Sequence, residues 1–234
     1  MNFTSENILI ETFLAKPKAF FRNVTGKELK RYYVLREFDS GYGVADIVIG
    51  SFAPYLSVKN LRSCVDVNWA GALVNSQNNN IFSAKDFAKI YGVSMSTARN
   101  KLNQFVSAGF MKKNNQANYS VDKEYKVAVG TSIALEAKLQ KWKQALNQAR
   151  RYQKYADYSF VLLDKRFSAP AEDNIEEFSK HNVGLVTMSG HTASIHYLPK
   201  SSGAPRNMYF YKFNEAVYQY FKSTYGCSEE FCSK

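Results

Sequence analysis

The chain has 234 residues, 45% of them hydrophobic, enough to bury a core in one large domain or in a domain carrying a second small one. Its 31 Lys and Arg against 20 Asp and Glu leave a formal net charge of +11, which points to a polyanionic partner, nucleic acid first. No apolar run approaches the roughly 18 residues of a membrane span, which sets a membrane partner aside.

MNFTSENILIETF lacks the basic and continuously apolar regions of a signal peptide, so a cytoplasmic location is expected. Ser5 followed by Ile8, Leu9, Ile10, Phe13, Leu14 and Phe20 predicts a helix that Pro17 ends or kinks. RYYVLREF and VADIVIGSF flank SGYG and predict a hairpin whose turn uses Gly41 and Gly43 at positive φ. After Pro54 the texture turns small and polar, with the tract NSQNNN, followed by helical periodicity in SAKDFAKIYGVSMSTARNKLNQFVSAGF. Strand character returns at KVAVGTSIALEAKL. Residues 54–126 are therefore expected to form an inserted module, and residues 1–53 with 127–234 a discontinuous α/β core.

IALEAKLQKWKQALNQARRY then passes from an apolar strand to a basic amphipathic helix with the stripe Leu139, Trp142, Leu146, Ala149 and Tyr152. ADYSFVLLDK and VGLVTMS read as buried strands on either side of a helix, AEDNIEEFSKHN, a rhythm that implies parallel crossovers. HTASIHYLP and MYFYKF are expected as strands and NEAVYQYFKSTYG as a closing helix with Gly226 past its end. Cys64, Cys227 and Cys232 make an odd count without a CxxC, and His181, His191 and His196 complete no zinc spacing, so the thiols are expected to be bystanders.

Within residues 54–126, Ala88, Gly92, Val93 and Ala98 fall where two short helices meet in a tight turn. MKKNNQANYSVDKEYKV follows and resembles the wing of a winged-helix domain. Off the apolar face lie Ser96, Thr97, Arg99, Asn100 and Asn103, which with Lys112 and Lys113 are expected to contact double-stranded DNA. The same fold also serves protein contact or dimerisation.

Glu136 and Lys138 lie two apart on a strand and share a face, and a hairpin neighbour would bring Asp46 alongside. Two carboxylates about 4 Å apart repel by about 4 kcal/mol at an effective dielectric near 20. Lys138 offsets part of that, and an oxygen-seeking Mg²⁺ or Mn²⁺ the rest. Such an ion binds a scissile phosphate and lowers the pKa of a water.

On Asp46, Glu136-x-Lys138 and this element order, the chain resembles the PD-(D/E)XK, or restriction-endonuclease-like, nuclease superfamily. Its mixed-sheet α/β core runs helix, three strands, helix, strand, and the resemblance covers Met1 to about Ser189 apart from the insertion. It implies that Asp46 and Glu136 hold the metal and that Lys138 positions the attacking water or stabilises the charge on phosphorus. It also implies an auxiliary acid, Glu11, with Glu37 as a rival. Gln148 and Tyr152, one helical turn apart, match the QxxxY element of RecB-like members, which helps to bind substrate or organise the site. The chain departs from the pattern at Ala45, where the motif name has Pro, and in the winged-helix insertion between Asp46 and Glu136.

The implied function is a Mg²⁺-dependent DNA endonuclease serving phage defence, restriction, recombination or mobile-element processing, with a homodimer compatible with cutting both strands. A non-catalytic DNA-binding regulator on a nuclease-like scaffold stays open beside it, as does an RNA-directed or structure-specific nuclease with the same parts.

Overall fold

The computed structural model describes residues 3–77 and 81–226; Cys227, Cys232 and the second half of the Asn-rich tract lie outside them. The chain divides into two compact units, residues 1–54 with 129–210 and residues 55–128 with 211–234. Among the described residues, no helix is long and apolar enough to cross a membrane.

Ser5 caps α1 (Glu6–Leu14), its hydroxyl accepting the Ile8 N–H at 3.3 Å. Pro17 does not kink this helix but opens a second, α2 (Pro17–Thr25), because at the first helical position its missing N–H has no intrahelical partner to lose. The hairpin is β1 (Tyr32–Asp39) and β2 (Val44–Phe52). Of its two turn glycines only Gly41 has a positive φ, +83°. Gly43 sits close under α6, where a Cβ would come 3.3 Å from the side chain of the exposed Arg151 and 3.6 Å from that of Tyr152.

The second unit follows with α3 (Ala70–Gln77), β3 (Ile81–Ser83), α4 (Ala84–Tyr91), α5 (Met95–Ser107), β4 (Met111–Lys113) and β5 (Asn118–Val121). Ser83 and Asp86 close a reciprocal capping box on α4, and Gly92 at φ +61° ends that helix. The strands pair in the order β3-β5-β4. Ala98, Leu102 and Phe105 of α5 pack with Phe87, Phe110, Met111 and Tyr119 into this unit's own core.

The first unit resumes with β6 (Val129–Lys138), α6 (Trp142–Tyr152), β7 (Tyr158–Asp164), α7 (Ala169–Glu172), α8 (Ile175–His181), β8 (Gly184–Ser189) and β9 (Thr192–Tyr197), and α9 (Met208–Tyr225) begins at its end. Its sheet is mixed, in the order β1-β2-β6-β7-β8-β9. β1, β2 and β6 run antiparallel, β6, β7 and β8 parallel, and β9 antiparallel to β8. The protein is thus of mixed α/β class. Phe13 of α1 and Phe20, Phe21 and Val24 of α2 bury one sheet face, represented by Ile47, Ile49, Ile133, Leu135, Ala137 and Phe160.

Three sequence expectations are corrected. MYFYKF is not a strand: Phe210, Phe213, Val217 and Phe221 are buried at helical spacing, and the whole segment belongs to α9, so periodicity overrides the β-preference of aromatic residues. AEDNIEEFSKHN is two short helices, α7 and α8, not one. From Tyr211 onward the chain groups with residues 55–128, not with the core to which 127–234 was assigned. The reason is a buried carboxylate: Glu215 accepts two hydrogen bonds from Arg62 at 3.1 and 2.5 Å, one from the Val65 N–H at 2.8 Å and one from the Tyr125 hydroxyl at 2.7 Å. Removing α9 from this unit would take the shared acceptor from all four bonds.

Gly50 of β2 lies under the buried Tyr33, and a Cβ there would run into its hydroxyl and fall 2.7 Å from the Thr131 carbonyl oxygen. Gly50→Ala is expected to destabilise the protein by about 1–3 kcal/mol through overpacking. The check is a urea titration, in which the midpoint falls and the slope stays constant.

Candidate active site

The β2–β6 ladder pairs Ile47 with Leu135, so the next step along both strands sets Asp46 against Glu136. Ile47, Ile49, Ile133, Leu135 and Ala137 all face the core under α1 and α2. By alternation, Asp46 and Glu136 point to the opposite face of the sheet, where α6 packs on β6 and β7. Asp46 Oδ2 accepts the Ala137 N–H at 2.7 Å, which ties the aspartate to the β6 backbone where the ladder ends. Lys138 Nζ is 3.0 Å from Glu136 Oε1.

From α6, the Tyr152 hydroxyl meets Glu136 Oε2 and lies 2.6 Å from the Val44 carbonyl oxygen. A hydroxyl has one proton for these two acceptors. It therefore donates to either the Glu136 carboxylate or the Val44 carbonyl, and both acceptors lie within its reach.

Burial pushes the Glu136 carboxyl above its ordinary range and the neighbouring Asp46 adds to it, against the lowering pull of Tyr152 and Lys138. Burial likewise raises Asp46, countered by the Ala137 N–H and Lys138, with Glu6 and Glu37 raising it further. Burial pulls Lys138 down, but its bond to Glu136 and the fields of Glu136, Asp46 and Glu6 outweigh it, leaving the ammonium raised. Tyr152 is raised by burial and then by Glu136. Two desolvated acids beside a firmly charged lysine form a site short of positive charge.

Asp46, Glu136, Lys138 and Tyr152 are therefore brought together. Gln148 lies one turn before Tyr152, and its Oε1 is buried without a hydrogen-bond partner. Glu11 is not brought to the site: it pairs with Arg36 of β1. The α1 carboxylate that reaches Lys138 is Glu6, with Oε2 3.2 Å from Nζ. Five residues along a helix turn about 500°, so Glu6 and Glu11 project in directions about 140° apart. Glu6 carries no distinguishing signal in the sequence, since an acid just after an N-cap serine is what the helix dipole favours anyway. Glu37 falls between the Arg36–Ile47 and Phe38–Ala45 pairs, opposite Asp46, with a left-handed φ of +48°.

In the second unit Ser96, Arg99, Asn100, Asn103, Lys112 and Lys113 are exposed and Thr97 is half-buried. Several are already engaged. Ser96 and Thr97 hydroxyls bond to the N-cap Ser94 at 2.8 and 2.9 Å, Asn103 Oδ1 accepts from Tyr119 at 3.2 Å, and Lys112 pairs with Asp122 at 2.6 Å. A cavity of about 820 Å³ in this unit is lined by residues that include Arg62, Phe110 and Tyr218 and by none of these seven.

Among the described residues, no three His, Cys, Asp or Glu side chains gather as a metal-binding group. The donor set at Asp46 and Glu136 is nonetheless of the kind a hard divalent cation takes, two carboxylates with waters and substrate oxygens completing the shell. Both acids are raised first by burial, and Glu136 also by the charge of Asp46, a cost of ionisation that such a cation relieves. Compared with protein families, curated proteins and solved structures, the chain gives no match.

Because Asp46 and Glu136 hold their protons more tightly folded than unfolded, the native state binds more protons than the unfolded chain above about pH 4, and stability falls as pH rises through that range. The stability of metal-free wild type relative to Asp46→Asn plus Glu136→Gln is expected to fall with increasing pH above about 4. Paired urea titrations across that range check the sign.

Proposed function

We propose that the protein is a metal-dependent endonuclease that hydrolyses phosphodiester bonds of duplex DNA, with a PD-(D/E)XK-type site on the first unit and a winged-helix-like second unit as DNA reader. The observation that carries this reading is the convergence of Asp46, Glu136 and Lys138 on one face of the sheet from two paired strands. Support also comes from the order helix, three strands, helix, strand, with β1, β2 and β6 antiparallel and β7 parallel. In the second unit, two helices joined across Gly92 and a β4–β5 hairpin support the reader.

Asp46 and Glu136 would hold a Mg²⁺ or Mn²⁺ ion, whose chemistry is to bind the scissile phosphate and make water a better nucleophile. Asp46 is suited to this because its Oδ2 is fixed by the Ala137 N–H. Lys138 keeps its charge, so it orients the attacking water and stabilises the charge that develops as that water adds to phosphorus and the P–O ester bond breaks. Tyr152 braces Glu136 from behind through its hydroxyl, and the Val44 carbonyl braces Tyr152. The +11 charge favours a polyanion at long range. Cutting both strands would take two copies of the site and hence a homodimer.

Supercoiled plasmid DNA is expected to be nicked or linearised with Mg²⁺ and left intact with chelator. Asp46→Ala and Lys138→Ala are each expected to lower the rate at least about 100-fold. Equal activity of either variant removes the assignment. Stable duplex binding by a wild type that never cleaves favours the non-catalytic regulator.

A further inference from the structure

The Lys138 ammonium has three protons, and three acceptors hold them: Glu136 Oε1 at 3.0 Å, the Ala137 carbonyl oxygen at 3.1 Å and Glu6 Oε2 at 3.2 Å. A substrate oxygen reaches that ammonium only if one of the three leaves. Glu136 and Ala137 belong to the strand that carries Lys138, and the Glu136 side chain is 2% exposed. Glu6 comes from a different element, the first turn of α1, and its side chain is 45% exposed. Glu6 is the replaceable partner.

A groove of about 360 Å³ opens at the same lysine, lined by Glu6, Lys138, Leu139, Gln140, Lys141 and Gln144. Lys141 and Gln144 are both exposed, Lys141 as the N-cap of α6 and Gln144 in its first turn. Two ammonium groups and two amides line this groove against a single carboxylate. Such a lining suits a phosphate-sugar backbone, which is contacted mostly through lysine and amide donors.

We propose that this groove is the subsite for the phosphodiester next to the one cleaved, held by Lys141 and Gln144, and that Glu6 is its built-in competitor, occupying Lys138 until a phosphate oxygen replaces it. The identity of the anion as a nucleic-acid strand rests on the nuclease reading. Carboxylate and phosphate oxygens are both anionic acceptors, so the exchange leaves the ammonium with three hydrogen bonds. Repulsion from the arriving phosphate drives Glu6 toward the solvent that already reaches it. The arrangement costs the free enzyme nothing in unpaired charge and screens the lysine from other anions.

The test is binding of a short fluorescein-labelled DNA duplex, followed by anisotropy over a range of salt concentrations, with Ca²⁺ in place of Mg²⁺ to suppress cleavage. Lys141→Ala plus Gln144→Ala is expected to weaken binding about 5- to 20-fold and to make the slope of log K against log salt shallower by about 0.9, the signature of one lost contact to a polyanion and not to free phosphate. Lys141→Glu, a change at an exposed position, is expected to weaken it further. Glu6→Gln is expected to tighten binding about 3- to 10-fold and to lower KM for cleavage in Mg²⁺.

An unchanged Kd and slope for the groove variants overturns the subsite. Lost cleavage with unchanged Kd in Glu6→Gln overturns the competitor and makes Glu6 part of the metal-holding set. Failure of the nuclease reading looks different: the binding changes appear as expected while wild type itself does not cleave. Absence of duplex binding by wild type overturns both.

Discussion

The register of β2 against β6 governs everything else in the first unit. With Ile47 opposite Leu135, one face of the two strands is a continuous apolar surface for α1 and α2, and the other carries Asp46 and Glu136 side by side. A slip of one residue would turn the acids into the helical core and expose the isoleucines. The hydrophobic effect that aligns the isoleucines therefore also positions the acids. Asp46 adds a local lock, because its bond to the Ala137 N–H satisfies a backbone donor just beyond the last pair of the ladder.

That placement has an electrostatic consequence. Carboxylates beside each other and partly out of water resist ionisation, and both are raised by burial before any other influence. Lys138 compensates within the same strand, and its own charge is held up by the acids around it. The result is a local excess of acceptor capacity around one cation, a state that a second cation would relieve. Gln148, with a buried and unpartnered oxygen one turn from Tyr152, adds a polar atom without a protein partner on the same helix. Stability alone does not account for such a cluster, since replacing buried ionic groups by apolar ones is often neutral or stabilising.

The second unit is organised by a different buried charge. Glu215 is fully buried, and its pairing with Arg62 is supported by the Tyr125 hydroxyl and the Val65 N–H. The Arg62 guanidinium also stacks 3.7 Å from the Tyr218 ring centroid and 4.7 Å from that of Tyr125. Aromatic faces, carboxylate and backbone together surround the arginine as a desolvated cation requires. This cluster binds the segment after Pro54 to α9 across about 150 residues of sequence, so the unit is discontinuous like its neighbour.

Local pattern alone was enough for most elements: the β1–β2 hairpin, the strand-to-helix passage from β6 to α6, the two parallel strands and the helix pair around Gly92. Each rests on periodicity, a cap or a turn residue, and these act within about ten residues. Asp46, Glu136 and Lys138 were legible as a set because strand alternation and hairpin adjacency constrain faces. Tertiary structure alone decided what depends on distant partners. The grouping of α9 with residues 55–128 follows from Glu215 finding Arg62, and the choice of Glu6 over Glu11 from the rotation of α1 against the end of β6. Neither of these has a local signature, because the free energy that selects them comes from contacts between groups far apart in the chain, and a sequence pattern records only which face a side chain shares with its near neighbours.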